Sequence, residues 1–166
     1  FLTPDKHYVG VAWYQKKVTI PADWKGERIT LFLERPHIET TVWVNQQELG
    51  MQNSLCVPHV YDLTAATTPG KTYLITIRID NRIKEINVGP DSHSITDQTQ
   101  GNWNGIVGRI ELQATPKVHL EDIQVYPDLS NQKALVRMNI RSASSTKGEI
   151  TLSAASFNTD IQHKVA

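Results

Sequence analysis

Tyr73-Leu74-Ile75-Thr76-Ile77-Arg78-Ile79-Asp80 is the stretch that decides the fold class. In an extended chain, successive side chains point to opposite faces. Tyr73, Ile75, Ile77 and Ile79 then share one face, and Leu74, Thr76, Arg78 and Asp80 share the other. The same period of two recurs on both sides of this stretch. Ile29, Leu31 and Leu33 alternate with Thr30, Phe32 and Glu34. Val42 and Val44 alternate with Thr41, Trp43 and Asn45, and Ile110, Leu112 and Ala114 alternate with Glu111 and Gln113. Turn residues bound these runs, as at Pro21-Ala22-Asp23, Thr68-Pro69-Gly70 and Gly89-Pro90-Asp91. No long stretch follows helical spacing. The pattern predicts an all-β chain built as a sandwich or barrel.

The 166 residues suit one domain, or one domain with a piece of a second. Seventeen Lys and Arg balance seventeen Asp and Glu. No basic face is implied, so nucleic acid is not expected as a partner. No apolar run approaches the roughly 20 residues of a membrane helix. Phe1-Leu2-Thr3-Pro4 does not open a signal peptide. Cys56 is the only cysteine, which excludes a disulfide framework and a Cys-based zinc site. The six histidines are scattered without metal-ligand spacing, so no metal and no cofactor is expected.

A second segment begins near Thr115-Pro116-Lys117 and contains three further strand candidates. They are Ile123 with Val125, Ala134 to Ile140, and Ile150 to Ala154. An immunoglobulin-like sandwich needs about seven strands in roughly 100 residues. About fifty residues remain here, so this segment reads as part of such a sandwich. The expected division is 1–115 and 116–166.

Two local features invite a site or a turn. Asn45-Gln46 lies where a two-residue hairpin would reverse the chain. A type I′ turn needs positive φ at both positions, which Gln46 resists, so a longer turn or another type is expected. The stretch from Asp91 to Gly105 is long, polar and nearly free of aliphatics, yet contains Trp103. Its Asp, Asn, Gln and His residues offer directional hydrogen bonds to sugar hydroxyls, and an indole offers a flat face to a pyranose. A loop anchored by a buried Trp103 explains the composition equally well. Trp13, Trp24 and Trp43 lie in or beside strand-like runs, where core or edge packing is the default. No carboxylate pair is placed for glycosidase chemistry.

Several segments, in order, resemble one family. Tyr8-Val9-Gly10-Val11-Ala12-Trp13-Tyr14-Gln15-Lys16-Lys17 resembles the opening motif of the sugar-binding domain of family 2 glycoside hydrolases. Val18-Thr19-Ile20-Pro21-Ala22-Asp23-Trp24-Lys25-Gly26 is similar to the strand and proline–tryptophan-x-glycine step that follows it. Val42-Trp43-Val44-Asn45-Gln46 resembles the valine-tryptophan-valine-asparagine-glycine hairpin, departing from it at Gln46. Tyr61-Asp62-Leu63-Thr64, Arg78-Ile79-Asp80-Asn81 and Gly105-Ile106-Val107-Gly108-Arg109 complete the likeness, which runs from about Tyr8 to Leu112.

The resemblance implies a jelly-roll sandwich followed by a partial immunoglobulin-like sandwich. The family domain carries a strand before the opening motif, so a first core strand is expected to lie before Phe1. The resemblance also implies a parent O-glycosyl hydrolase acting on β-glycosides, such as a β-galactosidase or β-glucuronidase. The family's (β/α)8 barrel, of about 250 residues, has no room here, so the chain should be inactive alone. In β-galactosidases of the family, an aspartate before the closing segment helps hold the terminal sugar. Asp97, followed by Gln98, stands at the matching distance from Gly105, with Asn102 and Trp103 as neighbouring contacts. The implied partners are a carbohydrate substrate and the catalytic barrel of the same polypeptide, with homo-oligomerisation left open. The implied compartment is the periplasm or the exterior, with the cytoplasm as the alternative. A stand-alone carbohydrate-binding module and a structural docking or oligomerisation domain are the competing readings.

Overall fold

The computed structural model describes residues 8–84, 103–142 and 144–153. The chain divides into two compact units, Phe1–Lys117 and Val118–Ala166.

The first unit is a two-sheet antiparallel sandwich. Its strands are β1 (Val11–Thr19), β2 (Arg28–His37), β3 (Glu39–Val44), β4 (Gln47–Asn53), β5 (His59–Asp62), β6 (Thr72–Asp80) and β7 (Gly105–Thr115). One sheet has the order β1-β6-β3-β4 and the other β5-β2-β7. The period-two residues fill the space between them. Ile29, Leu31 and Leu33 from β2 meet Val42 and Val44 from β3 and Ile75, Ile77 and Ile79 from β6, all buried. Burying each such side chain contributes about 1.5–3 kcal/mol. The alternation on β7 is weaker in effect. Leu112 packs against the core, while Ile110, on an edge strand, stays half exposed.

One polar chain crosses this core. Tyr61 donates to the Thr40 carbonyl at 2.8 Å and lies 2.7 Å from Thr40 Oγ1. Thr40 Oγ1 lies 2.6 Å from His59 Nδ1, and His59 Nε2 donates to the Ser54 carbonyl at 3.1 Å. The Ser54 carbonyl can only accept, so the proton sits on Nε2 and Nδ1 accepts from Thr40. Burial pushes the His59 imidazole below its ordinary pKa, which keeps it neutral and the chain satisfied.

The hairpin at Asn45-Gln46 has the two-residue length but not the type I′ conformation. Asn45 has φ of 54°, and Gln46 is not among the positive-φ residues. Asn45 also ties the turn to β6: its N–H donates to the Leu74 carbonyl at 2.7 Å, and its Oδ1 accepts from Leu74 N–H at 2.9 Å. The family-like segment on β7 has a similar local cause. A Cβ on Gly108, at φ of 87°, would lie 2.6 Å from Glu34 Oε2. That carboxylate instead accepts from the backbone N–H of Arg109 at 2.9 Å and from its Nε at 3.0 Å. The glycine makes room for this pair where the β2–β7 register shifts. The Arg109 guanidinium then lies over the Phe32 ring at 5.0 Å.

The second unit contains β8 (His119–Asp128) paired with β9 (Lys133–Arg141). The third strand expected over Ile150 to Ala154 does not form across its described residues, Ile150 to Ser153. A strand obtains its ladder bonds only from a neighbour, and a lone pair of strands is marginal in water. Ile123, Val125 and Leu135 are accordingly exposed.

Ile79 lies fully buried on the central strand β6. Ile79→Ala is expected to cost about 2–5 kcal/mol, read by denaturant unfolding followed through tryptophan fluorescence.

Candidate functional site

β6 ends at Asp80, and the chain continues through Asn81-Arg82-Ile83-Lys84. It returns at Trp103-Asn104 and enters β7 at Gly105. Asp97 and Asn102 fall in 85–102, outside the described residues; Trp103 is described and half-buried.

The departing end is held by charge. The Asp80 side chain has no solvent exposure. Its Oδ1 accepts from Arg82 N at 3.1 Å and Arg82 Nε at 2.9 Å. Its Oδ2 accepts from Arg82 Nη2 at 2.7 Å and Arg78 Nη2 at 2.9 Å, with Lys84 Nζ also at 2.9 Å. A buried carboxylate without such partners would cost several kcal/mol. Glu39 completes the cluster, accepting from Arg78 Nη1 at 2.7 Å and from Lys84 at 3.0 Å. The Arg82 hydrogen bonds, opposed by burial and aided by Lys84, hold the Asp80 carboxyl far below the usual carboxylate range. Burial pushes Glu39 upward, but the bonds from Lys84 and Arg78 outweigh it and lower its pKa.

The returning end is held by neutral hydrogen bonds. The Trp103 carbonyl accepts from His37 Nδ1 at 2.6 Å and from Asn81 Nδ2 at 3.1 Å. The Trp103 ring stacks on the His37 ring, with centroids 4.4 Å apart and planes 18° apart. Asn81 also donates to the Tyr8 carbonyl and accepts from Gly10 N–H, each at 2.8 Å. Asn104 Nδ2 donates to the Gly10 carbonyl at 2.9 Å. His37 and Asn81 are both fully buried.

Both ends therefore meet at one end of the sandwich. Glu39 is the register partner of Asp80 on β6, and His37 that of Gly105 on β7. The Ile38 N–H also donates to the Asp80 carbonyl at 3.2 Å. This arrangement can position a group; it is poorly suited to proton transfer. Its two carboxylates are ion-paired with lowered pKa values, whereas a glycosidic acid needs a raised one. Among the described residues, no group of three or more His, Cys, Asp or Glu is placed to hold a metal ion.

The reading of the residues missed His37, Asp80 and Asn81 as anchors. The one local signal is at Asp80, which has Arg78, Arg82 and Lys84 at two to four positions from it; His37 and Asn81 bond to groups far away in sequence. Of its two expected placements, core or edge, Trp13 takes the edge. It lies 59 % exposed on the outer face of β1, an edge strand.

A family model described as "Glycosyl hydrolases family 2, sugar binding domain" matches residues 3–116. The chain belongs to this family. A beta-glucuronidase of Paenibacillus borealis is 23 % identical over 159 residues, covering 87 % of the chain and 26 % of the relative. A beta-galactosidase of Priestia megaterium is 25 % identical over 124 residues, covering 75 % of the chain and 11 % of the relative. Among solved structures, the Faecalibacterium prausnitzii beta-glucuronidase superposes with a TM-score of 0.67 at 24 % identity, over 82 % of the chain and 27 % of that protein. The chain thus spans about a quarter of the length of the beta-glucuronidases it matches.

Two outcomes test the anchor. Asn81→Leu removes every bond from the amide and leaves Gly10 N–H and the Tyr8 carbonyl unmatched. It should cost roughly 3 kcal/mol in denaturant unfolding and speed proteolytic cutting between Lys84 and Trp103. The pH dependence follows from Asp80. Its pKa is depressed in the folded state, so its stabilisation is complete above the unfolded value of about 4 and is lost as pH falls below it. Melting temperature measured from pH 7 to pH 2 should drop less steeply below pH 4 in Asp80→Asn, from a lower starting value.

Proposed function

We propose that this domain serves a glycoside hydrolase acting on β-glycosidic bonds, and that it holds a sugar-positioning segment rather than performing chemistry. The observation that carries this reading is the double anchor at Lys84 and Trp103. The segment between them contains Asp97, the position that the family likeness points to. A buried ion cluster and a buried amide fix the two ends. Such fixing lowers the ordering cost of presenting a group to a substrate.

In this reading Asp97 accepts hydrogen bonds from hydroxyls of the non-reducing sugar, with Asn102 beside it. Trp103 acts through its carbonyl and its stack on His37, setting where the segment returns. Holding the sugar against a catalytic domain makes the reaction effectively intramolecular. Residues 116–166 are proposed as the start of an immunoglobulin-like domain linking the two.

In the complete hydrolase, Asp97→Ala is expected to lower kcat/KM on an aryl β-glycoside about 10- to 100-fold, the loss of a charge-assisted hydrogen bond. The melting temperature should be unchanged. Equal kinetics in the variant and the parent would remove Asp97 from the site.

A further inference from the structure

The outer face of the β1-β6-β3-β4 sheet carries a feature that the anchored segment does not use. The register sets Trp13, Arg78, Thr41 and Met51 in one row across the four strands. The next row contains Gln15, Thr76 and Trp43. The two indoles thus start on strands either side of β6 and meet above it, with centroids 5.6 Å apart and planes tilted by 34°. Thr76 and Thr41 are buried on this same face. Gln15 Nε2 is fixed beside the pair by its bond to Thr76 Oγ1 at 3.1 Å. Along the same face towards Asp80 come the exposed parts of Arg82 and Lys84, at 51 % and 38 %.

We propose that this face is a binding site for β-linked oligosaccharides, and that it prefers chains carrying carboxylates. A β-linked pyranose with equatorial substituents has an apolar face of axial C–H groups and a rim of hydroxyls. The Trp13 indole matches the first, and the Gln15 amide and Arg78 guanidinium match the second. These donors are already held in place, so binding costs little ordering. The charge is also matched. Among the described residues, Arg78, Arg82 and Lys84 pair with Asp80 and Glu39, which leaves one positive charge in excess there. A uronate carboxylate would satisfy it.

Size argues against a protein occupant. A standard protein interface takes about 800 Å² per partner, with a fully buried apolar centre. A whole aromatic side chain supplies only about 150–250 Å², and here two indoles meet each other and border a charged row. A protein covering that row would also have to desolvate its ions. The open aromatic area is of the order of one or two sugar rings.

The experiment is titration calorimetry of the 166-residue chain with two probes, β-1,4-linked hexaglucuronate and cellohexaose, with tryptophan fluorescence read in parallel. Hexaglucuronate should bind more tightly than cellohexaose, and the difference should shrink as salt is raised. Trp13→Ala should weaken both about tenfold or more, and Trp13→Tyr should restore most of the loss. Arg82→Gln should weaken only hexaglucuronate. Trp13 is too exposed for its loss to unfold the sandwich, and thermal melting of each variant checks this. Asp97→Ala should leave both affinities unchanged, which separates this proposal from the positioning role of Asp97. Absence of saturable binding to either probe overturns the proposal. So does binding that survives Trp13→Ala, or self-association of the chain that Trp13→Ala abolishes.

Discussion

A carboxylate with no solvent exposure has to be matched where it stands, and Asp80 is matched by three cations. The arrangement at this end of the first unit depends on that match. Arg78 reaches Asp80 from the same strand and Glu39 from β6 to β3. Arg82 and Lys84 are drawn back onto the strand end they have just left. Without the carboxylate, three positive side chains would crowd one corner, and the path after β6 would lose its main restraint. Asn81, one residue on, does the equivalent work with neutral bonds. It holds the chain before β1 through Tyr8 and Gly10, and the chain before β7 through Trp103. Two adjacent residues thus gather three separate stretches of chain.

The sandwich makes this corner affordable in free energy. Its core is uniformly aliphatic apart from the His59–Thr40–Tyr61 chain, in which every proton has an acceptor. Buried polar networks are costly when half satisfied and rigidifying when complete. Here one network lies between the sheets and another at their end, next to the residues that carry the segment 85–102.

The fold class was legible because period two is a local property. Ile75, Ile77 and Ile79 announce a buried strand face without reference to any other part of the chain. The neutral anchors His37 and Asn81 were not legible, because each depends on a partner far away in sequence, whereas Asp80 pairs with cations two to four positions away. His37 meets a carbonyl 66 positions later, and Asn81 an N–H 71 positions earlier. Nothing near His37 or Asn81 signals those partners. Trp13 shows a different limit. Alternation says which residues share a face but not which face is inside, and an indole is as apolar on the outer side of β1 as it would be in the core. The third strand expected near Ile150 failed for a related reason: its apolar pattern is right, but a strand also needs an edge to pair with.

The division between framework and segment also accounts for why the family was readable and the sugar was not. Proteins named as beta-glucuronidase and beta-galactosidase both match this chain at about the same identity. Those two sugars differ in a carboxylate and in the orientation of a hydroxyl, differences that a core of Ile, Leu and Val cannot sense. Residues that build the sandwich are constrained by packing whatever the substrate is. The residues proposed to touch sugar depend instead on where their segment is held, at Lys84 and Trp103. Discrimination between sugars must therefore come from side chains outside that core, and the proposed sites for it lie between the anchors and on the outer face of β1.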